Sequence, residues 1–517
     1  MYNIVKSVRG CNEKMEKMME IKGDIPPANL RRVFLIVSVG VFMSTMDSSM
    51  INVALPVLMK TFHSSLILTQ WVVLIYLLTI TMLLVFWGKL CNRWGCGNVY
   101  SRGMLLFSVG SLLCGMADNI WLLILFRFFQ ALGASMMMAT GPALIRLVFP
   151  PERLGRGLGL VGVATSLGLM AGPVVSGLIL RWLHWRVIFW VTVPVGLVFY
   201  LSGRRMLAGC STPETGLPRR AVEVRKLDLP GAFLWAVLVS LTLLAATHAT
   251  TLFRGQGSAS SALFIVGSCM ILIGWLFFAW YETKSPAPFL PVRLFRQRFF
   301  VMALLSSSLS FAVLFFVLIL MPFYLDHVLR LPPDRIGYVM MALPLCVFIV
   351  SPAAGRLYDR IGARIVATGG LLCCLAGLAM LTRLTAETAP LSIAGRLALL
   401  GFGQAMFLSP NSASALGGVA DDHAGVTAGL LATARNFGML AGTALAGLSF
   451  ALHFAAATGG LDMKEFVPSA TPAFLFALTR SFDYALLIAL CAVAASWMRG
   501  TPKGAGKEKP AFEHGDA

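Results

Sequence analysis

Apolar stretches of about twenty residues recur from residue 33 to residue 498, separated by short polar breaks. As a helix, a run of that length crosses a hydrocarbon core about 30 Å thick. Reading such windows along the chain predicts fourteen spans. They lie near 33–58, 69–90, 99–117, 120–145, 157–180, 187–203, 229–249, 262–281, 300–322, 336–354, 365–383, 391–416, 424–451 and 477–498. In lipid every backbone N–H and C=O must find a partner within the segment, and a helix satisfies all of them. The pattern predicts an all-α polytopic membrane protein.

Composition agrees. The chain has 517 residues, 57% hydrophobic and only 13% charged, against about 25% charged in soluble proteins. The net charge of +19 would raise nucleic acid as a partner in a soluble chain, so the placement of the charge decides. With fourteen spans both ends of the chain fall on one side. Loops and tails on that side hold 30 of the 42 lysines and arginines, the opposite loops hold 10, and Arg127 and Arg435 lie inside spans. Basic residues collect on the cytoplasmic side. Both termini are expected in the cytoplasm, with the basic loops facing anionic lipid and no nucleic acid as partner. No cleavable signal peptide is read, because the first apolar run starts after about 32 residues and exceeds a signal core in length. None of the ten cysteines falls in an outer loop, so no structural disulfide is expected. No P-loop, zinc-ligand cluster or Gly-x-Ser-x-Gly turn is found. The chain reads as a gradient-driven carrier with no cofactor other than a proton gradient, and not as an enzyme.

Against this apolar background Asp47 stands out, near the middle of the first span. A charge at bilayer depth costs roughly 2.5–3.5 kcal/mol on insertion scales and is kept where it is paired, hydrated or used. Span 1 runs outward and span 4 inward, which puts Asp47 and Arg127 about 6 Å apart in depth, within reach of an Arg side chain. An Asp–Arg pair makes both charges tolerable, and its loss in another conformation would let the carboxylate take a proton. A static ion pair that only orients two helices is the competing reading. Gln130 lies one turn from Arg127 on the same face.

Two further patterns bear on mechanism. Gly88-Lys89-Leu90-Cys91-Asn92-Arg93-Trp94-Gly95 leaves span 2, and Gly355-Arg356-Leu357-Tyr358-Asp359-Arg360-Ile361-Gly362 leaves span 10, with the same spacing 267 residues later. Each opens on a glycine expected to allow tight helix contact and closes on another in a short polar turn. Duplicated halves are a hallmark of secondary transporters, with the substrate site between them. Span 5 carries Gly168, Gly172, Pro173 and Gly177. These predict a flat, bent helix for close packing, either at the interface between halves or as the ordinary small-residue packing of membrane helices.

In their order, these motifs resemble the major facilitator superfamily, and within it the fourteen-spanner drug:proton antiporter (multidrug efflux) branch. The resemblance covers residues from about 33 to 498. It rests on Met46-Asp47 through Pro56, on Gly88 to Gly95, on Leu125 to Gly133 with Arg127, on Ser166 to Gly177, and on Trp185 to Phe189 followed by Val193 to Gly196. It implies two six-helix bundles plus two extra central helices. The expected parts are a cytoplasmic tail at 1–32, an N-terminal bundle at 33–207, linkers with two accessory helices at 208–299, a C-terminal bundle at 300–498 and a cytoplasmic tail at 499–517.

The resemblance also implies roles. Asp47 and Arg127 would couple protons, and Gly168, Gly172, Pro173 and Gly177 would form the antiporter motif. Gly88, Asn92, Arg93, Gly95, Gly355, Asp359, Arg360 and Gly362 would form the cytoplasmic gating loops. Asn92 stands where the family has Asp, which weakens the charge lock expected of the first loop. The implied function is export of lipophilic or cationic compounds from the cell by alternating access, through the inner (plasma) membrane. A dedicated metabolite exporter or uptake permease on the same fold is the alternative, and a non-transporting membrane sensor is the rival outside transport. No periplasmic adaptor protein is evident from the sequence. Trp71, Tyr76, Met136, Met137 and Met138 are candidates for lining an adaptable pocket. Arg435 needs a partner, for which Asp483 is the nearest acid by sequence, or else a structural role typical of the family.

Overall fold

The computed structural model describes residues 27–148, 154–209, 228–253, 258–285, 295–417 and 424–500. The tails at 1–26 and 501–517 lie outside the described residues. Among the described residues fourteen long helices make up the fold. In chain order they are α1 (Pro27–Phe62), α2 (Leu66–Trp94), α3 (Cys96–Gly115), α4 (Ile120–Val148), α5 (Leu154–Trp182), α6 (Thr192–Gly209), α7 (Leu229–Phe253) and α8 (Ser258–Lys284). Then come α9 (Arg298–Phe323), α10 (Pro333–Ile361), α11 (Ala363–Leu381), α12 (Pro390–Gly417), α13 (Ala424–Thr458) and α14 (Thr471–Trp497). A single turn, Val187–Trp190, precedes α6, and a π-helical turn, Tyr324–Val328, extends α9.

Among the described residues eleven helices are long and apolar enough to cross a membrane. The protein is a multi-pass membrane protein. The helix α3 falls short of that standard because it carries Asn98, Ser101, Arg102, Ser108 and Ser111, several of which face protein. Ser101, Ser108 and Ser111 are buried.

Helices α1 to α6 pack chiefly on one another, through α3 on α4, α1 on α5 and α2 on α4. So do α9 to α14, through α10 on α12, α11 on α12 and α9 on α13. The two sets meet where α5 crosses α10 and where α2 crosses α13. The pair α7–α8 packs on itself, and α7 lies against α2 and α13.

The duplication is visible in the backbone. Gly95 and Gly362 close their turns at φ 81° and 82°, a left-handed conformation that glycine adopts without steric cost. His63 and Arg330 also take positive φ, at 48° and 50°. Each pair is 267 residues apart, the spacing of the loop motif. The opening glycines behave differently from expectation. Among the described residues a side chain at Gly88 would meet nothing within 4 Å, and one at Gly355 only the Ser409 hydroxyl at 3.8 Å. The side chains of Asn92, Arg93 and Asp359 lie outside the described residues, while Arg360 is exposed.

Arg499, the first residue expected in the tail at 499–517, is instead buried. Its guanidinium donates to the Ser306 hydroxyl at 3.2 Å and to the Asn411 side-chain oxygen. It ties the end of α14 to α9 and α12, and burial pushes its pKa down to about 10.

Candidate functional site

Asp47 and Arg127 meet in the interior of the first helix set. The Arg127 Nη1 donates to Asp47 Oδ2 at 2.7 Å, and the two residues are 1% and 0% exposed. Gln130, one turn on along α4, joins them. Its Oε1 accepts from Arg127 Nη1 at 2.6 Å, and its Nε2 donates to Asp47 Oδ1 at 2.9 Å. Both carboxylate oxygens are therefore satisfied by donors, the condition for keeping an ionised acid in a dry interior.

Helix α2 closes the site from its other side. Arg127 Nε donates to the Val72 carbonyl at 3.1 Å. The guanidinium lies 4.2 Å from the Tyr76 ring centroid and 5.8 Å from that of Phe189. Such stacking offsets part of the desolvation of the cation. The Tyr76 hydroxyl hydrogen-bonds the Ser44 hydroxyl at 3.0 Å, one turn before Asp47 on α1. Of the residues considered for an adaptable pocket, Tyr76 is thus part of the charged site. Met136 and Met137 are buried in the core of the first set, where Gly103 of α3 packs on Met136. Trp71 and Met138 are half-buried.

Helix α1 is held against α5 by small residues and by hydroxyls. Ser49 donates to the Leu169 carbonyl and Ser176 to the Met50 carbonyl, both at 2.9 Å. The glycine stripe of α5 divides between two neighbours. A Cβ at Gly168 would collide with the Thr45 side chain and the Phe42 carbonyl of α1, and one at Gly172 with Ser49 of α1. Only the C-terminal part of the stripe crosses between sets. A Cβ at Gly177 would lie 2.6 Å from the Pro333 carbonyl oxygen, and one at Gly337 of α10 would strike the Pro173 carbonyl.

The second set repeats the stripe. Gly438, Gly442 and Gly447 on α13 follow Gly168, Gly172 and Gly177 at a constant offset of 270 residues. Gly438 and Gly442 approach the backbone of Ser308 and Ala312 on α9, and Gly447 abuts Gln70 of α2. The spacing carried this signal, and sequence reasoning missed it. No sequence signal marked two ion pairs that also bridge the sets at this end. Lys60 Nζ lies 2.6 Å from Asp326 Oδ2, and Arg181 Nε lies 4.0 Å from Asp334 Oδ1. His327 Nδ1 lies 3.0 Å from the same Asp326 oxygen. All of these contacts sit at the end of the bundle opposite the start of α1.

Arg435 does not pair with Asp483. Asp483 is met by Arg480, one turn earlier on the same helix, at 3.5 Å, with both side chains about half exposed. Arg435 is half-buried on α13.

The comparisons with known proteins fit this architecture. The Major Facilitator Superfamily profile matches residues 37–443. The riboflavin transporter RibZ of Clostridioides difficile is 32% identical over 91% of this chain and 98% of its own length. The multidrug resistance protein Stp of Mycobacterium tuberculosis is 30% identical over 79% of this chain and 73% of its own. A bacterial homologue of the lysosomal transporter Spinster, in an inward-facing and unoccupied conformation, shares the fold with a TM-score of 0.65 at 14% identity, covering 92% of this chain and 98% of that one. Such proteins are transporters of small molecules and not enzymes. The chain belongs to the major facilitator superfamily.

Proposed function

We propose that this protein is a proton-coupled exporter of lipophilic small molecules in the inner or plasma membrane, with both termini cytoplasmic and all fourteen helices spanning. The observation that carries the reading is a carboxylate buried at span depth and paired with an arginine on a neighbouring helix. Export is supported by the multidrug transporters among its relatives, such as Stp and MdtP of Bacillus subtilis. The proton gradient supplies the energy and no cofactor is needed. Asp47 protonated from outside and deprotonated inside would bias the two helix sets between outward- and inward-facing arrangements. Gly177 with Gly337, and Gly447 with Gln70, would seal the outer side in the arrangement seen here, while the loops at Gly95 and Gly362 would act at the inner side.

A second reading, a dedicated metabolite carrier, is favoured by the match to the riboflavin transporter over nearly its full length. Flux separates the two. Purified protein in liposomes with an imposed pH gradient is expected to move several unrelated dyes and antibiotics. Movement of one metabolite alone would favour the dedicated carrier, and no gradient-driven flux of any compound would remove both.

The ion pair Lys60–Asp326 predicts a smaller effect. The lysine is 55% exposed, and exposed pairs contribute only about 0.2–1 kcal/mol. Lys60→Ala is therefore expected to change transport no more than about fivefold. Lys60→Glu with Asp326→Lys is expected to transport better than either single reversal, as read by dye efflux.

A further inference from the structure

Beyond Asp47, Arg127 and Gln130, two hydroxyls continue the buried network. The Gln130 Nε2 donates one hydrogen to Asp47 Oδ1 and the other to Ser111 Oγ of α3, at 2.6 Å. Thr192 Oγ1, in the first turn of α6, lies 3.1 Å from Ser111 Oγ and 2.9 Å from the Phe189 carbonyl oxygen. All of these side chains are fully buried. The Thr192 hydroxyl donates toward both the Phe189 carbonyl and Ser111 Oγ. Ser111 Oγ therefore accepts from Thr192 on one side and from the Gln130 amide on the other. On the far side of the amide the Cys114 thiol donates to Gln130 Oε1 at 3.7 Å.

An acceptor at the Nε2 end and donors at the Oε1 end set which way the amide points. An amide has a donor end and an acceptor end, and the ionised carboxylate needs the donor. Turned over, Gln130 would set its oxygen against Asp47 and its NH2 against the Arg127 guanidinium. We propose that Ser111 and Thr192 are positioning residues for proton coupling, which set the proton affinity of Asp47 by holding the Gln130 amide in the orientation that serves the ionised carboxylate. The proposal rests on the reading of Asp47 as the proton-coupling group.

The arrangement also says what a proton does on arrival. A proton on Asp47 turns one carboxylate oxygen from acceptor to donor. Gln130 can serve that new donor only by turning over, and the two hydroxyls can reverse with it because each donates or accepts. The turned amide then presents hydrogens to Arg127, so proton binding loosens the arginine from the carboxylate. The other titratable groups facing Asp47 are Tyr76 of α2 and Cys114 of α3, whose thiol lies 3.7 Å from Gln130 Oε1.

Infrared titration of the full-length protein in detergent reads this without transport. The protonated carboxyl band of Asp47 is assigned by its loss in Asp47→Asn. Removing one supporting hydrogen bond is expected to move the midpoint of that band to higher pH by about 0.5–1 unit in Thr192→Val and in Ser111→Ala. Thr192→Ser, which keeps the hydroxyl, is expected to titrate as the wild type does. If either deletion folds and its midpoint matches the wild type, or if no Asp47 band titrates, the proposal is overturned. If the midpoints shift while no compound is carried down a pH gradient, the positioning role stands and the exporter reading fails.

Discussion

Asp47→Asn is expected to abolish efflux driven by a pH gradient, to at least about a hundredfold below wild type, while the protein still reaches the membrane. Asparagine fills the same volume and cannot exchange a proton in this range. The substitution also leaves Arg127 buried without a counter-charge. Breaking one side of a buried pair costs about 3–5 kcal/mol, whereas removing both charges is often nearly neutral. The double variant Asp47→Asn with Arg127→Gln is therefore expected to regain most of the lost thermal stability and none of the coupling. Purified variants in liposomes give the flux, and a thermal melt in detergent gives the stability. Full gradient-driven efflux by Asp47→Asn would remove the carboxylate from the mechanism.

Gly177→Val carries the second large expectation. The atoms that a side chain would meet there are the Pro333 carbonyl and the Cα atoms of Asp334 and Gly337. Backbone cannot rotate out of the way as a flexible side chain can, so α5 and α10 must separate. Transport is expected to fall at least about tenfold, because a gap of even 1 Å forfeits a large part of the contact energy at a packed interface. A cysteine placed near this crossing is expected to react with a membrane-impermeant maleimide added outside more than about ten times faster than in the parent. Gly369→Ala serves as the control. Among the described residues nothing lies within 4 Å of a Cβ at that position on α11, and alanine favours a helix by about 1 kcal/mol over glycine. Unchanged maleimide reactivity in Gly177→Val would show that this crossing is not the outer seal.

Much of this was legible in the sequence. Hydrocarbon thickness and backbone satisfaction leave little freedom, so apolar runs located the helices to within several residues. The Asp47–Arg127 contact was legible because two opposite charges at similar depth have few other places to go. Gln130 followed from its one-turn spacing. Other features were hidden for physical reasons. The direction of the Gln130 amide depends on Ser111 and Thr192, which arrive from α3 and α6, and single serines and threonines in an apolar run carry no distinctive pattern.

Lys60–Asp326 joins residues 266 apart at helix ends, where charges are common and unremarked. The glycines of α5 were legible as a stripe, but not how they divide between α1 and α10. Gly88 shows the reverse: its motif suggested a close approach, whereas among the described residues nothing lies within 4 Å of where a Cβ would stand. Arg499 looked like one more charge in a basic tail, and only the packing of α14 shows it reaching Ser306 and Asn411.

The exporter reading stands on Asp47 exchanging the coupling proton as the two helix sets rearrange around substrate, and proton release from detergent-solubilised protein reads that exchange. A transported compound is added to weakly buffered protein near neutral pH while a pH dye records the change. Binding is expected to release protons from the wild type, with a stoichiometry near one, and none from Asp47→Asn. Equal release from both proteins, or tight binding to the wild type with no release at any pH between about 5 and 9, would contradict it.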